Sequence, residues 1–213
     1  MPLILPGNVA SALPTGFDVA NSCRFNDGDS PQLSKSQGSG NVDQWTYSCW
    51  IKRGTAYDQD QVIFAAASDS SNKTVIQFQN DINSYLKFYV KTSGSYVGQL
   101  HTTRFFRDPS AWYHIVAVYD SGNGVAGNRM RLYINGIEET SFLTDNNPSS
   151  DANSQVNDGS STLYVGAIDG ATFFDGYMAE VCLVDGQALA ASDFGEFDED
   201  SPTIWKPKKV SGL

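Results

Sequence analysis

The chain has 213 residues, 40% of them apolar and 12% aromatic, with 24 acidic and 14 basic residues giving a net charge of −10. This length suits one large β-domain that can bury a core without disulfides or structural metals. The negative charge would repel nucleic acid and anionic lipid, which excludes them as general partners. The basic run KPKK at 206–209 is interpreted as part of a solvated tail.

The first sixteen residues, MPLILPGNVASALPTG, are mildly apolar and contain three prolines. They have no basic n-region and are too short to cross a bilayer, so the sequence predicts neither a signal peptide nor membrane insertion. We expect an extended arm over 1–16 that docks on another surface. The main domain is expected over 17–200, followed by a tail over 201–213 that lies outside the core and lacks a sheet pattern.

The three cysteines are Cys23, Cys49 and Cys182, an odd number without CxxC spacing. Cys49 and Cys182 stand inside strand-like runs, which favours a role as small buried apolar residues over a disulfide framework. The sequence is still compatible with one disulfide bond. This usage favours folding in a reducing compartment.

Strand alternation begins at WTYSCWIKR (45–53), where every second residue is apolar or aromatic. A period of two indicates a half-buried β-strand, and the runs 74–79 and 85–91 follow the same rule. The residues expected to share the core face of the first strand are Trp45, Tyr47, Cys49 and Ile51.

The run WYHIVAVYD (112–120) is apolar on both faces, which predicts a central strand covered on both sides. Its His114 shares a face with Val116 and Val118. The other histidine of the chain is His101, and no acidic partner of His114 stands near in sequence. We therefore interpret His114 as a structural histidine hydrogen-bonded inside the sandwich, rather than as a catalytic base or a metal ligand.

A hairpin follows over 129–142, where Asn135-Gly136 supplies the two residues that a type I′ turn requires. The polar stretch 144–160 is predicted to be a long surface loop. Residues 162–168 and 177–185 continue the strands. Residues 191–197 are expected to form a short helical turn with Ser192 as its N-cap.

Four segments then stand in a familiar order: WYHIVAVYD (112–120), RLYING (131–136), LYVG (163–166) and GYMAEV (176–181). Over roughly 45–195 the chain resembles the concanavalin A-like jelly roll of laminin-G-like and pentraxin-like domains. The resemblance implies an all-β fold, a two-sheet antiparallel jelly-roll β-sandwich.

The two ends, 1–11 and 185–212, resemble tail and virion structural proteins of tailed bacteriophages. That resemblance implies a non-enzymatic virion surface protein made in the host bacterial cytoplasm. It would serve host attachment as a tail fibre or tailspike-type adhesin, with a host-surface glycan as ligand. Other virion proteins would be its partners, and a homo-oligomer, preferably a trimer, is implied. The alternatives are a capsid or tail decoration protein without a glycan ligand, and a polysaccharide-degrading glycanase.

Two acidic features were weighed as catalytic candidates. Retaining glycanases place two carboxylates about 5–5.5 Å apart. The run EFDED (196–200) follows the last expected strand, so it is interpreted as a solvated acidic turn. Glu180 is interpreted as a half-buried framework residue that accepts hydrogen bonds from backbone or arginine. GxSxG and HExxH motifs are absent from the sequence, and no catalytic residue is predicted.

Ligand sites are less well defined by the sequence. Calcium is a candidate cofactor at the oxygen-rich loops 26–29, 69–72, 120–123 and 157–159, but Asp and Asn are also ordinary turn residues. No metal ligand or other cofactor is assigned. Carbohydrate binding would use exposed aromatic rings with polar neighbours, to which Trp50, Tyr57 and Tyr96 could contribute. Packing explains each of the three as well.

Overall fold

The computed structural model describes residues 17–54, 59–80 and 84–212. Their regular structure consists of β-strands and three short 3-10 turns, Asp27–Asp29, Ala126–Asn128 and Ala191–Asp193. The strands are β1 (Cys23–Phe25), β2 (Leu33–Ser36), β3 (Gln44–Arg53), β4 (Gln61–Ala67), β5 (Lys73–Phe78), β6 (Tyr85–Thr92), β7 (Ser95–Phe105), β8 (Trp112–Asp120), β9 (Met130–Ile134), β10 (Ile137–Glu138), β11 (Phe142–Asn146), β12 (Thr162–Val165), β13 (Gly176–Asp185), β14 (Gly195–Phe197) and β15 (Trp205–Pro207).

The strands form two large antiparallel sheets. The six-stranded sheet has the order β1-β13-β3-β8-β9-β10, and the seven-stranded sheet has the order β11-β7-β6-β5-β4-β12-β2. A separate hairpin joins β14 to β15. The predicted all-β, two-sheet jelly roll is confirmed. No described segment forms a helix long and apolar enough to cross a membrane.

The main core lies between the two sheets, where the inward faces of β3 and β8 pack against those of β4, β5 and β6. The four residues predicted to share a face of β3 are all fully buried in this core. Trp45 stacks on Tyr119 of β8 at a centroid distance of 5.7 Å, and Tyr47 stacks on Phe64 of β4 at 4.3 Å. Burying one such side chain contributes about 1.5–3 kcal/mol, so this face anchors the sandwich.

The hairpin between β9 and β10 has the predicted turn. Asn135 has φ 50° and Gly136 has φ 81°, and Ile134 pairs directly with Ile137. Two consecutive positive φ angles define the type I′ turn that suits the twist of paired strands. A Cβ on Gly136 would also overlap the ring of Trp205, so this glycine is required by packing as well.

The stretch 144–160 differs from the predicted surface loop. Its first three residues belong to β11, which pairs with β7. Further along, Val156 is fully buried, and Ser154 Oγ accepts a hydrogen bond of 2.9 Å from Trp45 Nε1. The stretch therefore closes one end of the core. The prediction of a surface loop was wrong because it rested on polar composition. Ser154 is polar but buried, since its hydroxyl accepts the hydrogen bond of the core Trp45 side chain.

The C-terminal segment also corrects the sequence-based expectation. Residues Trp205–Pro207 pair with β14, and Trp205 and Val210 pack against the six-stranded sheet. The tail thus has a strand and buries apolar surface from residue 205 onward. The short turn at Ala191–Asp193 begins after Ala190 rather than at Ser192, and the Asp193 carboxylate accepts the Ala190 N–H at 2.9 Å.

All three cysteines are free. Cys49 is buried as predicted, Cys182 is half-buried, and Cys23 is exposed. Burial raises the pKa of the Cys49 thiol to about 12, so this side chain is an inert core residue.

Candidate functional site

The outer faces of the two sheets differ in what covers them. On the six-stranded sheet, Val116 and Val118 of β8 form a second apolar cluster with the C-terminal part of the chain. The residues that cover this cluster are Ala188, Leu189, Ala191, Phe194, Trp205 and Val210. Much of this face is therefore interior, and its central strand is apolar on both sides as predicted.

His114 lies on this covered outer face, not between the two sheets. It is fully buried, as predicted, but the sequence-based placement inside the sandwich is wrong because the C-terminal segment supplies the burial. Trp205 Nε1 donates a hydrogen bond of 3.0 Å to Nδ1, and Nε2 lies 2.9 Å from Ser48 Oγ. The indole can only donate, so Nδ1 is the acceptor, and Nε2 carries the proton and donates to the hydroxyl.

The environment of His114 keeps the ring neutral. It is stacked on Trp50 at a centroid distance of 4.8 Å and on Trp205 at 5.9 Å. Burial lowers the pKa of His114 to about 3. A neutral imidazole with both nitrogens engaged is neither a free base nor a free metal ligand, which supports the structural role.

Beside this stack lies an opening of about 330 Å³, which we call the tryptophan cleft, lined by Val19, Ser22, Trp50, Trp112, Ala179 and Pro207. Trp50 is 9% exposed, whereas Trp112 is 38% exposed. Within the part of the chain that the structure describes, Trp50 Nε1 has no hydrogen-bond acceptor. Trp50 thus belongs mainly to the packing around His114.

The seven-stranded sheet has a polar outer face in its middle. Register places Lys73 of β5 directly opposite Lys91 of β6, and Lys91 directly opposite Tyr96 of β7. Two residues earlier on β6 stands Tyr89, and two residues before that stands Lys87, so both lie on the same outer face as Lys91. We call the surface formed by Lys73, Lys87, Tyr89, Lys91 and Tyr96 the lysine–tyrosine face.

Tyr96 is the centre of the lysine–tyrosine face and is 42% exposed. Its ring meets that of Tyr89 edge-on at 5.3 Å, which holds its orientation. The Nζ atoms of Lys91 and Lys87 lie 4.4 and 4.9 Å from its ring centroid, and Lys87 Nζ donates to its hydroxyl at 3.4 Å. Burial alone would raise the pKa of Tyr96, but the two ammonium groups and their hydrogen bonds hold it below its ordinary value.

A cavity of about 340 Å³ adjoins this face, lined in part by Asp69, Lys73, Thr162, Tyr164, Ile168 and Thr172. Lys73 therefore belongs to both the cavity and the lysine–tyrosine face. The apolar floor beneath is a small cluster of Val62, Ala65, Val75 and Tyr89, against which Tyr164 and Ile168 pack. Among the described residues, Thr172 Oγ1 is buried without a hydrogen-bond partner.

These side chains provide the chemistry of carbohydrate recognition. An exposed aromatic ring can pack against the C–H face of a sugar, and ammonium, hydroxyl and carboxylate groups can hydrogen-bond its hydroxyls. Of the aromatic residues considered from sequence, Tyr96 lies in this arrangement, and Trp50 lies on the opposite sheet. Tyr57 lies outside the described residues. The two described rings do not form one site.

The three lysines and Tyr89 are not among the site residues expected from the sequence. Their signal was present, since Lys87, Tyr89 and Lys91 alternate along β6. However, the convergence of Lys73 and Tyr96 on them depends on strand pairing, which the alternation alone does not reveal.

The acidic candidates are placed apart from this face. Glu180 has φ 48° at an irregularity of β13 between Ala179 and Cys182, and it is exposed rather than half-buried. A β-bulge turns one residue out of the alternation, which explains the error. In the run 196–200, Glu196 stands within β14, and Lys206 pairs with Asp198 at 3.2 Å and with Glu196 at 3.7 Å. The run thus begins within β14 and continues into a largely exposed acidic turn, and Lys206 ties both parts to β15.

The oxygen-rich loops bind their own backbone. Asp69 accepts the amide hydrogens of Ser71 and Asn72 at 2.7 and 2.9 Å, and Asp158 accepts that of Ser160 at 3.1 Å. Throughout the described ranges, no three or more His, Cys, Asp or Glu side chains are grouped as a metal site. These loops have the geometry of Asx turns.

A search against family models matches residues 26–193 to the family described as the concanavalin A-like lectin/glucanases superfamily. The match covers most of the chain and includes all the strands from β2 to β13. A search of curated protein sequences found no match.

Several solved structures share the fold at low sequence identity. The enzymatically active domain of bacteriophage CBA120 tailspike protein 2 is 15% identical with a TM-score of 0.58, over 89% of this chain and 30% of that chain. Mouse laminin α1 domains LG4-5 are 14% identical with a TM-score of 0.52, over 91% of this chain and 46% of that chain. The CBM40 of Ruminococcus gnavus IT-sialidase, bound to α2,3 sialyllactose, is 12% identical with a TM-score of 0.51, over 83% of this chain and 97% of that chain.

Proposed function

The chain belongs to the concanavalin A-like lectin/glucanases superfamily, and we propose that it is a non-enzymatic glycan-binding module that uses the lysine–tyrosine face. The observation that carries this proposal is the exposed ring of Tyr96, fixed by Tyr89 and flanked by two ammonium groups. An exposed aromatic ring is not unusual in itself, and the two ammonium groups beside this ring are what distinguish it.

The fold neighbours support a carbohydrate ligand by analogy. The CBM40 of Ruminococcus gnavus, which shares the sandwich fold, was solved with sialyllactose bound. At 12% identity the likeness is one of architecture, so the ligand of that module is support for the class of molecule only.

The biological setting that we propose is the surface of a tailed-bacteriophage virion, where the module serves host attachment in a tail fibre or tailspike-type adhesin. The resemblance of both chain ends to virion proteins and the fold shared with tailspike protein 2 support this setting. In it, the protein is made in the bacterial cytoplasm and assembles with other virion proteins as a homo-oligomer, preferably a trimer. Immunogold electron microscopy of particles tests it, and label confined to the capsid shell would favour the decoration-protein alternative.

In this proposal the arm at 1–16 makes assembly contacts. Deletion of 1–16 should leave the circular dichroism spectrum and melting temperature of the domain unchanged while it lowers the oligomeric state measured by analytical ultracentrifugation. Loss of folding on deletion would instead assign the arm to the core.

A non-enzymatic role is supported by the position of the acidic candidates. Glu180 lies in β13 of the six-stranded sheet, and the run 196–200 belongs to the β14–β15 hairpin that packs on the same sheet through Trp205, away from the lysine–tyrosine face. The glycanase alternative makes a distinct prediction, the release of new reducing ends from host polysaccharide. A reducing-sugar assay with the full chain should give no release over hours, and release above the buffer control would establish the enzyme.

Glycan binding is tested on an array of bacterial and mammalian glycans with the full chain. We expect a discrete set of bound glycans, and Tyr96→Ala should weaken their binding about tenfold or more because the stacking surface is lost. Tyr85→Ala is the matched control, since Tyr85 is a half-buried tyrosine on β6 that packs on Phe105 instead. Equal loss in both variants would contradict the proposed site.

A further inference from the structure

Three of the eight lysines of the chain, Lys73, Lys87 and Lys91, converge on the lysine–tyrosine face, although the protein as a whole carries a net charge of −10. Lys73 and Lys91 are direct cross-strand neighbours. Like charges placed directly opposite each other destabilise a sheet. A carboxylate at one of these positions would remove the repulsion. The sheet instead has a local excess of positive charge that lowers its stability.

The described residues do not neutralise this charge by ion pairing. Their ion pairs involve Arg24, Arg104 and Lys206, each away from this face. Burial, and after it the charge of Lys91, lowers the pKa of Lys73. The ammonium groups instead rest on aromatic rings, with Lys91 Nζ over Tyr96 at 4.4 Å and Lys87 Nζ over Tyr89 at 5.3 Å.

Contact with a ring does not satisfy the hydrogen-bonding capacity of an ammonium group. Each has three N–H donors, and the Lys87 contact with the Tyr96 hydroxyl uses one of them. The remaining donors lie beside the ring of Tyr96, so a ligand residue that packs against the exposed part of this side chain can place an anionic substituent between the lysines. A charge-assisted hydrogen bond from ammonium to carboxylate is roughly twice as strong as a neutral one.

We infer that the lysine–tyrosine face selects an acidic saccharide, with its anionic group held by Lys87 and Lys91 and its sugar ring packed against the exposed part of Tyr96. This inference rests on the proposed glycan-binding function and adds the class of ligand. The chain as a whole carries a net charge of −10, so the attraction for an anionic group is confined to this face.

The test measures binding of the full chain, by biolayer interferometry, to three immobilised probes: alginate, polygalacturonate and sialyllactose. Each is compared with its carboxyl-reduced form, and dextran and dextran sulfate are added as a neutral and a sulfated polymer. We expect at least one acidic probe to bind at least tenfold more tightly than its reduced form. We also expect that binding to weaken as sodium chloride is raised, because screening acts on the ammonium–carboxylate attraction. Binding to dextran sulfate but not to the carboxylated probes would identify sulfate as the anionic group and would still support anion recognition.

Two variants connect this preference to the face. Lys91→Met should weaken binding of the acidic probe about tenfold and leave any binding of its reduced form unchanged, because methionine keeps the apolar stem and removes the charge. Lys35→Met is the matched control, since it makes the same change of net charge at an exposed position on β2. Circular dichroism of both variants confirms that they are folded.

The outcomes separate the two proposals. Equal binding of acidic and carboxyl-reduced probes would overturn the inference and leave the glycan-binding function intact. Equal weakening by Lys91→Met and Lys35→Met would also overturn it, since the effect would then come from net charge alone. Absence of binding to every probe, charged and neutral, would contradict the proposed function itself.

Discussion

The outer faces of the two sheets carry similar residue types, but one is buried under the C-terminal segment and the other is exposed to solvent. Trp50, His114 and Trp205 stack on the six-stranded sheet under the C-terminal segment, and the histidine is fully buried. On the seven-stranded sheet, Tyr89 and Tyr96 meet under two lysine ammonium groups, and Tyr96 remains 42% exposed. An aromatic cluster with a polar group is therefore buried as structure in one place and left exposed in the other, where we propose a binding surface, and the covering segment makes the difference.

His114 has no nitrogen free to act as a catalytic base or as a metal ligand. Its two nitrogens are satisfied by Trp205 and Ser48, and burial has removed its ability to titrate near neutral pH. On the lysine–tyrosine face, the ammonium groups of the lysines instead have N–H donors at the surface that make no hydrogen bond to the described part of the protein. Satisfied polar groups in an apolar setting stabilise a fold, whereas unsatisfied ones at an exposed ring are suited to a ligand.

The largest effect is expected from removing the cover. Trp205→Ala should lower the free energy of unfolding by about 2–4 kcal/mol, because it deletes a half-buried indole and leaves His114 Nδ1 without its donor. Urea unfolding followed by tryptophan fluorescence measures it. The control is Trp112→Ala, which removes the same side chain from a 38% exposed position and should cost less than about 1 kcal/mol. Equal costs would show that the C-terminal segment does not stabilise the sheet.

A smaller effect is expected from the titration of His114. The folded state keeps this histidine neutral down to a pKa of about 3, while the unfolded chain takes up a proton near 6.5. The unfolded state thus binds more protons below pH 6.5, so stability falls as the pH drops from 6.5 toward 3. Between pH 6.5 and about 4.5 the loss should reach roughly 2–3 kcal/mol.

The variant His114→Phe isolates this contribution. It should lower stability at pH 7 by about 1–3 kcal/mol, because Ser48 and Trp205 lose a partner, yet it should flatten the dependence between pH 6.5 and about 4.5. Chemical denaturation at several pH values measures both quantities, and His114→Gln serves as a polar comparison. Glycan binding of the folded fraction should be unchanged. A slope in His114→Phe equal to that of the parent protein would assign the acid sensitivity to other groups.

The smallest effect on stability is expected on the uncovered face. Tyr96→Ala should change the free energy of unfolding by less than about 1 kcal/mol, because the side chain is 42% exposed and its lysine contacts are at the surface. Thermal unfolding checks it. A loss as large as that of Trp205→Ala would mean that Tyr96 is a structural residue, and the contrast between the two faces would disappear.

The strands and the main core could be predicted because alternation with a period of two states which residues share a face. It correctly grouped Trp45 with Ile51, and His114 with Val116 and Val118. Alternation does not state which of two apolar faces meets the other sheet, so His114 was placed in the wrong layer. The layer depends on Trp205, which is 91 residues away in sequence and has no periodic signal of its own.

The candidate site was less predictable than the fold for the same reason. Tyr96 could be proposed from its residue type, but its partners Lys73 and Lys91 come from separate strands whose register is set by pairing across the sheet. The bulge that exposes Glu180 and the burial of Ser154 are likewise tertiary effects that override local pattern. Local sequence thus determined the elements, and long-range pairing determined the surface.

The central claim is that the lysine–tyrosine face, and not the tryptophan cleft on the other sheet, binds glycan. The most direct measurement compares Tyr96→Ala and Trp112→Ala with the parent chain on the same glycan array, after both variants are shown to be folded. The account predicts that Tyr96→Ala loses binding to the glycans that the parent recognises and that Trp112→Ala keeps it. Retention in Tyr96→Ala together with loss in Trp112→Ala would contradict the account and move the site to the tryptophan cleft.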